Sequence, residues 1–497
     1  MPPREHPAGP AMRAPVLVAV VITLLAGCAI GPDYVRPKVD APAAFRFEPA
    51  QVAATANTAW WKQFSDPVLD QLIDTALANN LNVKIAAANV QQAAAIITQT
   101  RSQLFPQIGY AGNGERARIP DTGLVAVIPN YPNPQNAYQA LLTATWEIDL
   151  WGRIRRLSES AQANMLATDE ARRGVILSLV NSVATNYITL RGLDEQLAIA
   201  NATLGTYGES VRLYQLQFKY GQTSQMTVSQ AQSQYETAAA QIPVIESQIA
   251  QVENALSVLL GRNPGPIPRG KSIYELALPS VPAGVPSELL VRRPDVMQAE
   301  QTLIAANAQI GAAKALYFPV ISLTGTLGSS STALSDLFKG PTRVWNYAGQ
   351  VVGPIFTFGA VSGQVGQVEA GEQAALLGYQ LSIQNAFADV DNALVASQKL
   401  KEQLAAQERL VAALKDYARL AKLQYDGGYT SYSTVLQAEQ ALFPAELNLA
   451  AVRAQVFTSA GNIYKAMGGG WVAQADQLTG TTGVPAGERG TGLPPLF

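Results

Sequence analysis

One segment of the sequence matches a nucleotide-binding pattern. Residues 265–272 read G-P-I-P-R-G-K-S, which fits the G-x-x-x-x-G-K-[ST] pattern of a phosphate-binding loop. Such a loop holds phosphate with consecutive backbone N–H groups, and Pro266 and Pro268 remove two of these donors. We therefore interpret the segment as part of a linker. An enzyme that uses a nucleoside triphosphate stays open as a rival interpretation.

Two aspartates beside prolines are the other candidates for chemistry. Asp66 precedes Pro67, and Asp295 follows Pro294. A carboxylate pair could serve as general acid and base, but both positions also suit the start of a helix. Proline is favoured at the first helical position, and an acidic side chain there accepts free N–H groups. The spacing predicts that these residues begin helices.

The sequence lacks most of the side chains that enzymes use as nucleophiles and metal ligands. It contains one His, His6, and one Cys, Cys28, among 497 residues. A Ser-His-Asp triad, a Cys/His nucleophile and a His-rich metal site are therefore excluded in a chain that begins at Cys28. A net charge of −2 with 14% charged residues also argues against nucleic-acid binding. We expect no enzymatic activity, no metal and no cofactor.

The N-terminus reads as an export signal. Arg13 precedes an apolar run over residues 14–24, which is followed by the sequence L-A-G-C ending at Cys28. This ending resembles the bacterial lipoprotein box, so we expect cleavage after residue 27 and a covalent lipid on Cys28. A plain membrane anchor is disfavoured because a spanning helix needs about 20 apolar residues. Ala29, in place of an Asp, favours the outer membrane. Either Met1 or Met12 could be the true start.

Two halves of the chain repeat the same plan. Residues 218–224 match residues 425–431, and Trp151-Gly152 matches Phe358-Gly359, at an offset of about 207 residues. This offset is far longer than the 20–50 residues of a solenoid repeat. The sequence therefore predicts a duplicated large unit.

Each half contains a long stretch without proline, over residues 135–242 and 355–443. Apolar side chains in these stretches follow the 4-3 spacing of packed helices, as in Ile176, Val180 and Val183. A helix of about 68 residues would be roughly 100 Å long, since each residue adds 1.5 Å. We expect such rods in both halves.

Before each rod the hydrophobic pattern changes to period two. Residues 138–150 alternate between apolar and polar side chains, and residues 321–327 do so again. This alternation is typical of a membrane strand with one apolar face, although a soluble hairpin would show it too. We predict hairpins over about 105–151 and 318–358. Four strands cannot close a barrel, so a membrane-spanning sheet would have to be shared; a dimer gives eight strands and a trimer twelve.

Several motifs resemble the TolC-like outer-membrane efflux proteins, in their lipoprotein branch. They are Cys28, residues 31–34 (G-P-D-Y), residues 60–67 (W-W-K-Q-F-S-D-P) and residues 292–296 (R-R-P-D-V). The resemblance implies an α+β membrane protein that forms a homotrimer. Its twelve-stranded β-barrel would lie in the outer membrane, with four strands from each subunit, and would continue into a long α-helical periplasmic barrel. Relatives serve as passive exit ducts for small toxic molecules, joined through a periplasmic adaptor to an inner-membrane transporter. A non-conducting trimeric structural lipoprotein or adhesin is the alternative.

The resemblance also implies functional positions near the ends of the rods. The glycines Gly221, Gly427 and Gly428 would form the turns at the periplasmic tip. In relatives, acidic side chains after the second turn narrow the closed pore. Counting from that turn gives Thr434 and Gln437 here, and an amide lacks the pH response of a carboxylate. Tyr432 could add bulk at this constriction or simply pack within its helix.

These inferences give one domain plan. The predicted segments are a signal peptide (1–27), a lipid-anchored N-terminal segment (28–65), a first repeat (66–263), a linker (264–290), a second repeat (291–468) and a flexible C-terminal tail (469–497).

Overall fold

The computed structural model describes most of the chain. The described residues are 29–40, 42, 44–47, 59–118, 120, 132–280, 286–469, 472 and 479. The predicted signal peptide, Cys28 and nearly all of the predicted tail lie outside these residues.

Helices dominate the described chain, and four strands interrupt them in two pairs. The helices are α1 (Pro67–Asn79), α2 (Leu81–Ser102), α3 (Arg153–Lys219), α4 (Gln225–Leu259), α5 (Pro286–Arg292), α6 (Pro294–Lys314), α7 (Ala360–Asp426) and α8 (Tyr432–Ala466). The strands are β1 (Gln107–Ala117), β2 (Gln135–Ile148), β3 (Val320–Ser331) and β4 (Arg343–Val352). The α+β class with two tandem repeats is therefore confirmed.

The two proline-led helices begin as the sequence predicts. Pro67 is the first residue of α1, and the Asp66 carboxylate accepts the Val68 N–H at 2.9 Å as its cap. Pro294 is the first residue of α6, and Asp295 lies in its first turn. Both aspartates thus satisfy N–H groups that a helix start leaves without intrahelical partners.

The long rods are α3 and α7, each of 67 residues. Their length is about 100 Å, as expected. The predicted stripe of α3 is buried, with Ile176, Val180 and Val183 fully inside. The shorter partner helices α4 and α8 continue through Pro243 and Pro444. A proline removes one backbone hydrogen bond, which a 35-residue helix packed along its length tolerates. None of the helices among the described residues has both the length and the hydropathy to cross a membrane.

The four strands form one antiparallel sheet in the order β1-β2-β3-β4. Its centre is a contact between the two halves of the chain, because β2 of the first repeat pairs with β3 of the second. Here Leu142 faces Leu327, and Thr143 faces Thr326. Strands β1 and β4 are the edges of the sheet.

The chain divides into two compact units, each built from discontinuous segments. Of the described residues, those within 1–37, 91–166 and 300–378 form the first unit, which includes the sheet. The described residues within 38–90, 167–299 and 379–497 form the second unit, and its largest core contains Trp60, Phe64 and Tyr187. Each unit contains segments of both repeats, so neither repeat is a separate compact body.

Candidate functional site

One face of the sheet carries an apolar surface that the described chain leaves exposed. Antiparallel partners lie on the same face, so the register defines rows across the sheet. One row contains Tyr110, Leu142, Leu327 and Trp345, whose residues are 90%, 55%, 60% and 68% exposed. The next row contains Ile108, Ala144, Gly325 and Tyr347. An exposed apolar surface on this scale indicates contact with lipid or with another protein.

The opposite face is mainly polar, apart from one row made of Ala111, Leu141, Gly328 and Val344. One row there contains Gly109, Thr143, Thr326 and Asn346, and the next contains Gln107, Thr145, Thr324 and Ala348. These residues alternate with the apolar rows, because successive side chains of a strand point to opposite faces. The strands are 10 to 14 residues long, which is enough for a tilted strand to cross a bilayer. The sheet can therefore separate lipid from water.

Aromatic side chains gather where the strands meet the helices. Trp151 stacks on Phe318 with ring centroids 4.7 Å apart, and its Nε1–H donates to the Pro319 carbonyl oxygen at 2.7 Å. After β4, Phe356 and Phe358 form an edge-to-face pair with centroids 4.3 Å apart, and both are largely exposed. Amphipathic and aromatic rings concentrate at membrane–water boundaries. These positions therefore suit one boundary of a membrane-spanning sheet.

The N-terminal segment is held at this junction by backbone contacts. The Ile30 N–H donates to the Trp151 carbonyl oxygen at 3.1 Å. Gly31 has φ +107°, and a Cβ atom there would lie 2.4 Å from the Cα of Gly311. Gly152, with φ +76°, faces Ala29 in the same way, since a Cβ atom would lie 2.8 Å from the Ala29 Cα. Glycine is therefore required at these contacts.

A buried arginine reinforces this attachment. Arg156 is 5% exposed and donates to the Asp33 carboxylate at 2.8 Å, and also to the Ile30 and Gly31 carbonyl oxygens at 3.3 Å. The Glu159 carboxylate, also at 2.8 Å, accepts from its other terminal nitrogen. Ala29 is thus fixed beside the strand–helix junction, one residue after Cys28.

The predicted tip turns have the geometry that glycine supplies. Gly221 has φ +66° and Gly428 has φ +76°, and a Cβ atom would meet nothing within 4 Å at either residue. The backbone conformation, rather than space, therefore favours glycine. The Gln222 N–H donates to the Gln217 carbonyl oxygen and the Tyr429 N–H to that of Gln424, both at 2.8 Å. These are the closing bonds of a Schellman motif in each repeat.

Gly427 serves the second turn differently. A Cβ atom on it would lie 2.9 Å from the Tyr429 ring, so here the side chain of a neighbour limits the space.

The three predicted constriction residues have different surroundings. Tyr432 is buried within the subunit, 4.3 Å from the Tyr214 ring centroid and 5.7 Å from that of Tyr425. Thr434 is half-buried and shares a 2.8 Å hydrogen bond with Thr430. Gln437 is exposed. Tyr432 therefore takes the packed position, whereas Gln437 presents its amide at the surface of the subunit. The role of these residues in a constriction stays a prediction.

The phosphate-loop pattern is occupied by side chains of the protein itself. The Lys271 N–H donates to the Asp66 carboxylate at 3.1 Å, and the Gly270 N–H donates to the Tyr187 hydroxyl oxygen at 2.9 Å. A Cβ atom on Gly270 would lie 2.2 Å from the Asp66 Oδ1. The Asp66 carboxylate thus occupies the place that a phosphate would need. This geometry counts against nucleotide binding by the loop.

Sequence reasoning missed three buried charged groups in this protein. Arg156 donates to Asp33, Arg293 donates to Asp389, and Glu439 has a buried carboxylate oxygen. The motif R-R-P-D contains Arg293, but the pattern does not distinguish it from Arg292. Within the described residues, no group of three or more His, Cys, Asp or Glu side chains is arranged to hold a metal ion.

Comparisons with known proteins agree with this geometry. The family model "Outer membrane efflux protein" matches residues 72–262 and 285–469. The chain is 37% identical over 474 residues to the solvent efflux pump outer membrane protein SrpC of Pseudomonas putida, covering 93% of this chain and 99% of that protein. It is 33% identical over 467 residues to the cation efflux system protein CusC of Escherichia coli K12, covering 93% and 100%. The solved Campylobacter jejuni CmeC outer membrane channel is similar with a TM-score of 0.83 and 25% identity, covering 91% of this chain and 99% of that one.

Proposed function

The chain belongs to the outer membrane efflux protein family and is an outer-membrane efflux channel, and from this premise we propose that it is the passive exit duct of a three-part pump. The energy for transport would come from an inner-membrane transporter, to which a periplasmic adaptor joins the duct. The observation that carries the proposal is the two-faced sheet, with an exposed apolar row beside a polar one. A continuous water-filled channel needs the polar face of the sheet inside and the apolar face against lipid.

Open edges support a homotrimer. Strands β1 and β4 are edge strands, and each leaves one side unpaired among the described residues. Unpaired N–H and C=O groups are too costly in lipid, so the sheet must continue into a neighbour. Three copies would supply twelve strands, joining β4 of one subunit to β1 of the next. The long helices of the three copies would then line a periplasmic tunnel.

The glycine turns would lie at the periplasmic tip, where the adaptor docks. Their Schellman geometry reverses the chain tightly between α3 and α4 and between α7 and α8. Gln437 and Thr434 would narrow the closed tip by hydrogen bonding. A ring of amides has no charge to attract cations, so we propose a weakly selective aperture. The relatives' names refer to solvents and cations, and we propose small toxic molecules as the cargo class, with selection left to the pump.

Conduction is the direct test of this function. We expect the purified protein in planar bilayers to give discrete conductance steps. Deletion of its gene should increase susceptibility to several drugs, and a plasmid copy should restore resistance. A protein that assembles in the outer membrane, yet shows neither conductance nor a susceptibility change, would instead be the non-conducting structural lipoprotein. The absence of nucleotide binding in the same preparation would distinguish the duct and the structural lipoprotein from a nucleotide-using enzyme.

We propose a lipid anchor on Cys28 at the outer membrane. The contacts of Ala29, Ile30 and Gly31 hold the chain next to Trp151 and Gly152, where the aromatic side chains gather. An acyl chain on the preceding residue would enter the membrane close to that boundary. The anchor adds to a protein that the sheet already inserts, so it is not needed for spanning.

Replacing Cys28 tests this anchor. We expect Cys28→Ser to incorporate no palmitate, because serine offers no thiol for acylation, while the trimer still assembles. Metabolic labelling with palmitate followed by membrane fractionation measures both results. Ala29→Asp is the matched control, since it leaves Cys28 in place and should keep the label. Palmitate on the Cys28→Ser protein would mean that the lipid is attached elsewhere.

A further inference from the structure

A carboxylate lies between helices α3, α7 and α8, two residues beyond Gln437. One carboxylate oxygen of Glu439, Oε2, is buried and has no hydrogen-bond partner within the described part of the chain. The side chain lines a cavity of about 340 Å³, together with Tyr207 of α3, Ala418 of α7 and Phe443 of α8. A buried polar atom without a partner costs free energy, so it calls for an explanation.

The surroundings of Glu439 do not neutralise it. The titratable groups around it are Tyr207 and Tyr214 of α3, Lys422 of α7, and Tyr432 and Glu446 of α8, with Tyr235 of α4 at the edge of the same cluster. Lys422 is the cation among them, and it already forms an ion pair with Asp426. Glu446 is paired with Lys415 at 2.8 Å. Glu439 therefore faces mainly hydroxyl groups and apolar side chains.

The other repeat has no acid at the matching place. The counterpart of Glu439 is Gln232 of α4, whose amide donates to the Glu236 carboxylate at 2.7 Å. An amide satisfies the same packing without a charge. The acid is therefore not required by the helix arrangement that both repeats share, which points to a function of its own.

We propose that Glu439 is a proton-operated latch: the protonated carboxyl stabilises the packing of α3, α7 and α8, and its ionisation loosens that packing. The neutral carboxyl fits beside Tyr207 and Phe443, whereas the carboxylate must recruit water into the cavity or move outward. The coupling of this loosening to tip opening rests on the proposed duct function. The latch would give the protein a pH response that the hydroxyl of Thr434 and the amide of Gln437 do not supply.

The pKa of Glu439 sets the pH range in which the latch would act. Burial raises the pKa of Glu439 to about 7, and the charge of Lys422 opposes this only in part. The folded state thus holds a proton that an exposed glutamate, with a pKa near 4.5, releases. The contribution to stability is full below pH 4.5 and falls between pH 4.5 and about 7, where the opened form has released the proton that the packed form still holds. Above about pH 7 both forms are ionised and the loss levels off.

Hydrogen exchange measures the packing directly. Between pH 6 and pH 8, the equilibrium for local opening of residues 203–214 and 432–446 should rise about tenfold in the wild-type trimer, after correction for intrinsic exchange rates. Glu439→Gln should abolish this rise and hold the opening near its low-pH value. Glu236→Gln is the control, because Glu236 lies on the surface in the first half of α4, as Glu439 lies in the first half of α8. This variant should behave as wild type. An equal rise in Glu439→Gln and wild type would overturn the proposal.

Bilayer recording connects the latch to the duct. The open probability of the wild-type channel should rise over the same pH range, and that of Glu439→Gln should not. If the wild type and Glu439→Gln conduct with identical pH dependence, the latch does not control opening and the proposal is wrong. If neither conducts at any pH, the duct function fails, and hydrogen exchange alone still decides whether the latch exists.

Discussion

Leu327→Arg is expected to remove the protein from the outer membrane. Leu327 is 60% exposed in the middle of β3, in the apolar row between Leu142 and Trp345. If this row faces lipid, an arginine there costs about 2–4 kcal/mol near the bilayer midplane, and roughly three times that in a trimer. Such a loss is comparable to the whole stability of many domains. Quantifying the trimer in outer-membrane fractions measures the effect.

The neighbouring residue provides a matched control. Thr326 lies on the polar face, opposite Thr143 and Asn346, so Thr326→Arg places the same side chain one residue away on the other side of the sheet. We expect this variant to assemble at the wild-type level, with the channel shifted towards anions because three guanidinium groups line the path. Equal abundance of the Leu327→Arg trimer and the wild type would contradict a lipid-facing row. Loss of both variants would show that β3 tolerates no charge on either face.

Much of this fold follows from local patterns in the sequence. The alternation over residues 138–150 predicts a strand because its period of two gives one apolar face, and β2 covers most of that range. The matching glycine turns predict rods of equal length, which α3 and α7 are. Pro67 and Pro294 predict helix starts because the proline ring fixes a backbone angle that suits the first helical position. These features depend on residues that are close in sequence.

Contacts between distant segments could not be predicted in this way. Nothing in residues 265–272 indicates that Asp66, about 200 residues earlier, accepts the Lys271 N–H. The pairing of β2 with β3 is also fixed by the approach of two repeats, not by either strand alone. Likewise, Tyr432 lies next to Tyr214 only because α3 and α8 pack together. Sequence spacing along α8 alone could therefore not decide whether Tyr432 packs inside the subunit or lines the pore.

Arg293→Ala is expected to destabilise the second compact unit by about 3 kcal/mol. Arg293 is 7% exposed and lies before α6. Its guanidinium donates to the carbonyl oxygen of Ala466 at 3.0 Å and to the carboxylates of Asp295 at 2.6 Å and Asp389 at 2.8 Å. Alanine leaves these acceptors without their donor and empties the space beside Gly468. The midpoint of chemical unfolding of the trimer in detergent measures the loss.

Arg292→Ala is the matched control for Arg293→Ala. It pairs with Glu288 on the surface of α5 at 2.8 Å, with 27% of its side chain exposed. Surface ion pairs of this kind contribute at most about 1 kcal/mol, so Arg292→Ala should have a small effect. A larger loss in Arg292→Ala than in Arg293→Ala would show that the buried contacts do not carry the stability of this region.

Acid should narrow the difference between the wild type and Arg293→Ala. Burial alone would raise the pKa of Asp295, but the hydrogen bonds and charge of Arg293 outweigh it and lower that pKa below its ordinary value of 3.8. The ion pair therefore stabilises the wild type above about pH 4, and this contribution is lost as the pH falls through the lowered pKa. Because half of the Asp295 side chain is exposed, water screens the pair and the change will be a fraction of the total effect. A stability difference that stays constant from pH 7 to pH 3 would assign the effect of Arg293 to its carbonyl contacts and packing instead.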